Sequence, residues 1–166
     1  TRPALVSIDK ARLEDVTVTV QQADRRIAGR ISGMLNRIGP GQSGNVTLAT
    51  RFLIEGNGIP ELLGTFDLDL PVDIAADGTS ITWNGLSHVL LRTSAGALDP
   101  TDPEVIRVEQ ALVGTYQPAS RSLEAASRHA ISRAGTKLGT IDVTGEMDGA
   151  ARPTVTDASV TCTDVR

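Results

Sequence analysis

One stretch near the middle of the chain restricts the fold more than any other. From 66 to 74, apolar residues alternate with four others, Asp67, Asp69, Pro71 and Asp73. Because successive side chains of a β-strand point to opposite faces, this segment predicts a strand with one apolar and one mostly acidic face. Such a strand belongs to an antiparallel sheet that is wetted on one side. Pro71 lacks a backbone donor, which indicates an edge position, a bulge or a bend.

Alternation, β-branched residues and turn chemistry predict further strands on both sides of this one. The Asp77-Gly78 pair lies between two alternating runs and is a strong hairpin signal. The complete set of predicted strands is 5–20, 46–54, 63–75, 79–92, 137–146 and 154–163.

The segment after Gln21 has apolar residues at a different spacing. They recur three or four positions apart, at Ile27, Ile31, Met34, Leu35 and Ile38. This stripe predicts an amphipathic helix. We expect it to end at 39–41, where the sequence Gly-Pro-Gly permits a left-handed cap and stops continuation.

A second helix is predicted to begin near Thr101, because Glu104 three residues later completes a capping box. Its apolar stripe includes Val105, Val108, Leu112 and Tyr116, and the pattern resumes after Pro118. The segment 103–134 is either one helix kinked at Pro118 or two helices. The predicted order is therefore β-α-β-β-β-α-β-β in one α+β domain spanning 1–166, with a curved antiparallel sheet packed on two amphipathic helices.

Composition narrows the function. With 166 residues, 40% of them hydrophobic and 22% charged, the chain is neither a disordered tail nor a multi-span membrane protein. A net charge of -4 and only 2% aromatic residues disfavour a nucleic-acid partner. The lone Cys162 excludes an internal disulfide, and no Cys/His set suits structural zinc. Aspartates two apart on one strand lie about 7 Å from each other. We therefore expect neither a metal nor a cofactor.

The two histidines, His88 and His129, are the obvious candidates for acid–base chemistry. Ser87 adjoins His88, but adjacent residues of a strand point to opposite faces. Three serines lie close to His129 in the sequence, namely Ser122, Ser127 and Ser132. No nucleophile elbow and no third orienting acid accompany them at recognisable spacing. The prediction is a protein that is not an enzyme and has no catalytic residues.

Two segments carry a resemblance to a known group. In 15–31 a strand runs directly into the predicted first helix, and 66–83 precedes the predicted long helix. This order, over about residues 15–145, resembles the small bacterial extracytoplasmic proteins related to the tubular lipid-binding (TULIP) superfamily. The resemblance implies a bent antiparallel sheet rolled around a long helix. It also implies binding or transfer of a lipid, or a related scaffolding role, at the bacterial cell envelope without catalysis.

If the resemblance holds, the ligand is a lipid or another hydrophobic small molecule in an apolar groove. The residues expected to line that groove are Ile27, Ile31, Leu35, Leu68 and Leu112. The expected location is extracytoplasmic: periplasmic, secreted, or anchored at a membrane before removal of a leading segment, since the chain begins with Thr1. The alternative is a protein-interaction module of an envelope or secretion assembly, which docks an envelope protein through a sheet edge or a helix face.

Overall fold

The structure is a computed structural model that describes residues 7–56, 60–93, 96–148 and 154–164. Its regular structure consists of nine β-strands in one sheet, and no helix occurs among the described residues. The strands are β1 (Ile8–Gln22), β2 (Arg25–Ile38), β3 (Ser43–Gly56), β4 (Leu62–Ile74), β5 (Ile81–Arg92), β6 (Val105–Gln117), β7 (Ser122–Arg133), β8 (Thr136–Asp148) and β9 (Thr154–Thr163).

Every strand pairs antiparallel with the next one along the chain, so the spatial order is the sequence order β1 to β9. Most of the connections are short, which is why neighbours in sequence become neighbours in space. The predicted Asp77-Gly78 hairpin is confirmed: Gly78 has a positive φ of 71°, and Asp77 Oδ1 accepts a hydrogen bond from Thr79 N at 3.0 Å. The six predicted strands correspond to β1, β3, β4, β5, β8 and β9.

The predicted α+β class is wrong, since both predicted helices are strands. The first lies in β2, and the second comprises β6 and β7, with the chain reversing around Pro118. The spacing led to the wrong helix prediction because Ile27, Ile31 and Leu35 are four residues apart. Four is close to one helical turn and is also an even number, so these residues share one face of a strand as well. Glycines at 29 and 33 make a helix there less stable.

Pro71 lies in an interior strand, β4, and not at an edge. The pairing of β4 with β5 runs through Asp69 opposite Leu86 and resumes at Val72 opposite Trp83. Pro71 falls inside this gap, so no ladder bond to β5 requires the donor it lacks. The interruption leaves the register unchanged on either side.

The register sorts the side chains onto two faces, because residues directly opposite each other in an antiparallel pair project to the same side. One row crosses eight strands from Val16 through Ile31, Thr50, Phe66, Val89, Val108 and Ile131 to Gly139. We call this side the apolar face. On the interior strands it also carries Ile27, Leu35, Val46, Leu48, Phe52, Ile54, Leu62, Leu68, Leu70, Val72, Ile74, Ile81, Trp83, Leu91, Ile106, Leu112, Leu123, Ala125, Ile141, Val143 and Met147.

The opposite side, here the polar face, carries most of the charged residues. One of its rows runs through Met34, Thr47, Asp69, Leu86, Ala111, Arg128, Asp142 and Thr161. The aspartates at 67, 69 and 73 all lie on this side, as their alternation with apolar residues predicted. The polar face is therefore the one suited to water.

The sheet is a single layer, and its core is correspondingly thin. Among the described residues only two hydrophobic side chains are buried, Val72 and Val105. The accessible surface is 10870 Å², whereas a compact monomer of this mass exposes about 7,900 Å². A larger exposed area is expected where, as in the described residues, no second layer covers the sheet. Most of the apolar face consequently stays half exposed.

Candidate functional site: the apolar face and its polar row

A strongly apolar depression lies on this face, over the strands β4 to β9. Its volume is about 570 Å³, within the range of small-molecule sites. The hydrophobic side chains of the apolar face that line it are Phe66, Leu68, Leu70, Trp83, Leu112, Leu123, Ala125, Val143 and Met147. Ser127 lines it as well, and so do Thr144 and Glu146 of the polar face. Most of the lining is therefore aliphatic or aromatic, which suits a hydrocarbon ligand.

Two aromatic rings occupy the space beside glycines of the neighbouring strand and form part of the apolar face. A Cβ on Gly114 would overlap the ring of Trp83, which lies directly opposite on β5. A Cβ on Gly64 would likewise overlap the ring of Phe52 on β3. Each ring needs the absence of a side chain at its partner glycine, so these glycines shape the apolar face.

All five predicted ligand-binding residues lie on the apolar face, but the structure does not bring them together. Leu68 and Leu112 line the 570 Å³ depression. Leu35 lines a smaller one of about 360 Å³ between β1 and β3. Ile27 and Ile31 line neither, and Ile27 is 42% exposed.

A row of polar side chains crosses the middle of the apolar face. Ser87 on β5, Gln110 on β6 and His129 on β7 are directly opposite one another in turn. The row is flanked by Leu68 on one side and Ile141 on the other. Each polar residue is hydrogen-bonded within the face: the Ser87 hydroxyl donates to Gln110 Oε1, and Ser127 Oγ lies 2.9 Å from His129 Nε2.

We define these four residues, Ser87, Gln110, Ser127 and His129, as the polar row. Ser87 is fully buried, and Ser127 also lines the apolar depression. Sequence reasoning considered Ser127 with His129 but missed Gln110 altogether. The available signal was that Ser87 and Gln110 each occupy an apolar-face position within an alternating strand. Their juxtaposition depends on strand register.

The two histidines do not converge. His129 lies on the apolar face, whereas His88 lies on the polar face with its Nε2 4.0 Å from Glu109 Oε1. Among the described residues, no carboxylate hydrogen-bonds the His129 ring. A serine and a histidine are thus adjacent without the third group that orients a catalytic pair.

Some of the charged groups of the polar face are hydrogen-bonded to neighbouring side chains. Arg128 Nε donates to Asp142 Oδ1 at 2.8 Å, and this hydrogen bond holds the pKa of Asp142 below its ordinary value. Asn45 Nδ2 donates to Asp69 Oδ1 at 2.8 Å. Within the part of the chain that the structure describes, no three His, Cys, Asp or Glu residues are grouped as a metal site.

The loop between β5 and β6 is held by one arginine at the end of β5. Arg92 is 10% exposed and lies 2.5 Å from Asp102 and 2.8 Å from Glu104. Its guanidinium also donates to the carbonyl of Ala97 at 2.9 Å. Two hydrogen bonds, from Glu104 N and from Arg92, keep the pKa of Asp102 below its ordinary value. These contacts hold the loop at one end of the sheet, away from the depression.

A comparison with known proteins found no matching family model, no similar curated protein and no similar solved structure. The resemblance to the tubular lipid-binding proteins therefore stays a prediction, and the long helix it requires is absent from the described residues. Those residues also contain no helix with the length and apolar character needed to cross a bilayer.

Proposed function

We propose that this chain binds the hydrocarbon part of a lipid or a similar hydrophobic molecule on its apolar face, without catalysis. One observation carries the proposal: the apolar face extends across the sheet, is half exposed, and contains a depression of about 570 Å³. Aliphatic side chains that remain in contact with water gain free energy when a ligand covers them. The proposal does not draw on the resemblance or on the predicted helices.

Chain length provides a direct test. Each methylene that moves from water into an apolar site contributes about 0.8 kcal/mol, or about a fourfold change in affinity. A series of straight-chain alcohols should therefore bind more tightly with each added methylene until the depression is full. Trp83 is the only tryptophan of the chain and lines the depression, so its fluorescence reports binding without a label.

Matched variants locate the binding surface. Leu112→Gln puts an amide into the depression and is expected to weaken binding of a long-chain alcohol by about tenfold. Leu86→Gln is the control, because Leu86 lies on the polar face and is 56% exposed. The proposal is wrong if Trp83 emission does not respond to chain length, or if both variants weaken binding equally.

The free edges of the sheet favour a second function, docking of a protein strand. Within the described residues β1 pairs only with β2, and all fifteen positions of β1 are exposed. An unpaired edge of this length is a template for strand addition. Sedimentation velocity tests it: a concentration-dependent dimer that Val18→Pro abolishes would support edge pairing, and a monomer at every concentration would count against pairing between copies.

A further inference from the structure

The four residues of the polar row carry hydrogen-bonding side chains, and the hydrogen bonds within the row leave two donor groups without a partner in the described part of the chain. Because the Ser87 hydroxyl donates to Gln110 Oε1, the amide N–H₂ of Gln110 has no partner among the described residues. When the Ser127 hydroxyl donates to His129 Nε2, the ring carries its proton on Nδ1 as a second unused donor. Gln110 and His129 are directly opposite each other, so both side chains project from neighbouring positions on the apolar face.

No position on the apolar face of β4 to β8 is occupied by Asp or Glu, since the acidic residues of these strands lie on the polar face. The carboxylate of Asp142 on the polar face interacts electrostatically with His129, but it is hydrogen-bonded to Arg128. An anionic group over Gln110 and His129 would meet two hydrogen-bond donors on the apolar face.

The polar row borders the depression, so an extended ligand that begins at the row can lie along the depression. Leu112 is two residues beyond Gln110 on β6, and it lies opposite Ser127, which lines the depression. The depression continues from there to Leu123 and Met147. From Gln110 to the level of Tyr116, which pairs with Leu123, the distance along β6 is about 20 Å.

From this arrangement we propose that the polar row is a headgroup site, and that the ligand class is a long-chain fatty acid. Its carboxylate accepts hydrogen bonds from Gln110 and His129, and its tail lies along the depression towards Leu123. The proposal rests on the proposed function, because the tail occupies the same apolar surface. It adds that one end of the ligand is recognised by polar groups.

Two ligands of equal chain length distinguish the headgroup site from the proposed binding of hydrocarbon on the apolar face. Laurate and 1-dodecanol both carry twelve carbons, and only laurate has a carboxylate. The double variant Gln110→Leu with His129→Leu should weaken laurate binding by about tenfold, because charge-assisted hydrogen bonds are lost. The same variant should leave 1-dodecanol binding unchanged or slightly tighter. Trp83 fluorescence follows both titrations.

A measurement on the unmodified chain guards against a variant that fails to fold. The two histidines lie on opposite faces, so His88 is an internal control for His129. In NMR spectra of the imidazole groups, laurate should shift the signals of His129 and leave those of His88 in place, while 1-dodecanol should shift His129 much less.

The outcomes are distinct. Equal shifts of His129 with both ligands, or equal loss of both in the double variant, would overturn the headgroup site and leave the apolar binding function standing. If neither ligand binds the unmodified chain, the proposed function and the headgroup site fail together.

Discussion

The pairing of Trp83 with Gly114 leads to a sharp prediction about stability. In Gly114→Ala the new methyl group would overlap the Trp83 ring and would lie 2.9 Å from the carbonyl oxygen of Glu124. The ring can rotate away, but the carbonyl belongs to the β6–β7 pairing and moves only with the backbone. Overpacking of this kind costs about 1–3 kcal/mol. For a domain of this size, that lowers the melting temperature by about 2–12 °C.

Gly145 offers a matched control in the same row of the sheet, since Gly114 pairs with Ala125 and Ala125 with Gly145. A Cβ there would come no closer than 3.8 Å to Asp157 O, an ordinary contact. Gly145→Ala should therefore be neutral or stabilise by up to about 1 kcal/mol, because alanine restricts the unfolded chain.

Urea unfolding measures both variants. Trp83 fluorescence and far-ultraviolet circular dichroism should give the same midpoint for each protein if unfolding is two-state. Gly114→Ala should unfold at lower urea than the parent, with an altered Trp83 emission in the folded state. If Gly114→Ala is as stable as Gly145→Ala, the proposed contact between ring and glycine is wrong.

Two further predictions concern the connections between strands. The β7–β8 hairpin turns through Ala134 and Gly135, both with positive φ (46° and 73°), so Ala134→Asn should stabilise by at most about 1–2 kcal/mol and Ala134→Val should destabilise. Thermal unfolding that does not rank Asn above Ala above Val would contradict this. Because the pKa of Asp102 lies below its ordinary 3.8, the stability that this carboxylate adds is complete above that value and is lost as pH falls through the lower, folded pKa. Hydrogen-exchange protection in the loop 96–104, taken relative to the intrinsic rate at each pH, should therefore fall at pH below about 4, and Asp102→Asn should abolish that fall.

The candidate site could be anticipated only in part. Leu68 was recognisable as an apolar-face residue because Phe66 to Ile74 alternate strictly, a pattern that depends only on neighbouring residues. Leu112 was predicted to line an apolar groove from a helix, whereas it lies on the apolar face of strand β6. The polar row was not predictable, since Ser87, Gln110 and His129 come from three strands and meet only when the register is known.

The sequence by itself determined the turn at Asp77-Gly78 and the division of β4 into an apolar and an acidic side, because both follow from local stereochemistry. It did not determine whether Ile27, Ile31 and Leu35 belong to a helix or a strand, since a four-residue spacing satisfies both. Only the tertiary structure decided that, by supplying β1 and β3 as hydrogen-bonding partners for β2. The same long-range pairing placed His129 beside Gln110 and His88 on the opposite face. These positions depend on register, and register is a property of the whole sheet.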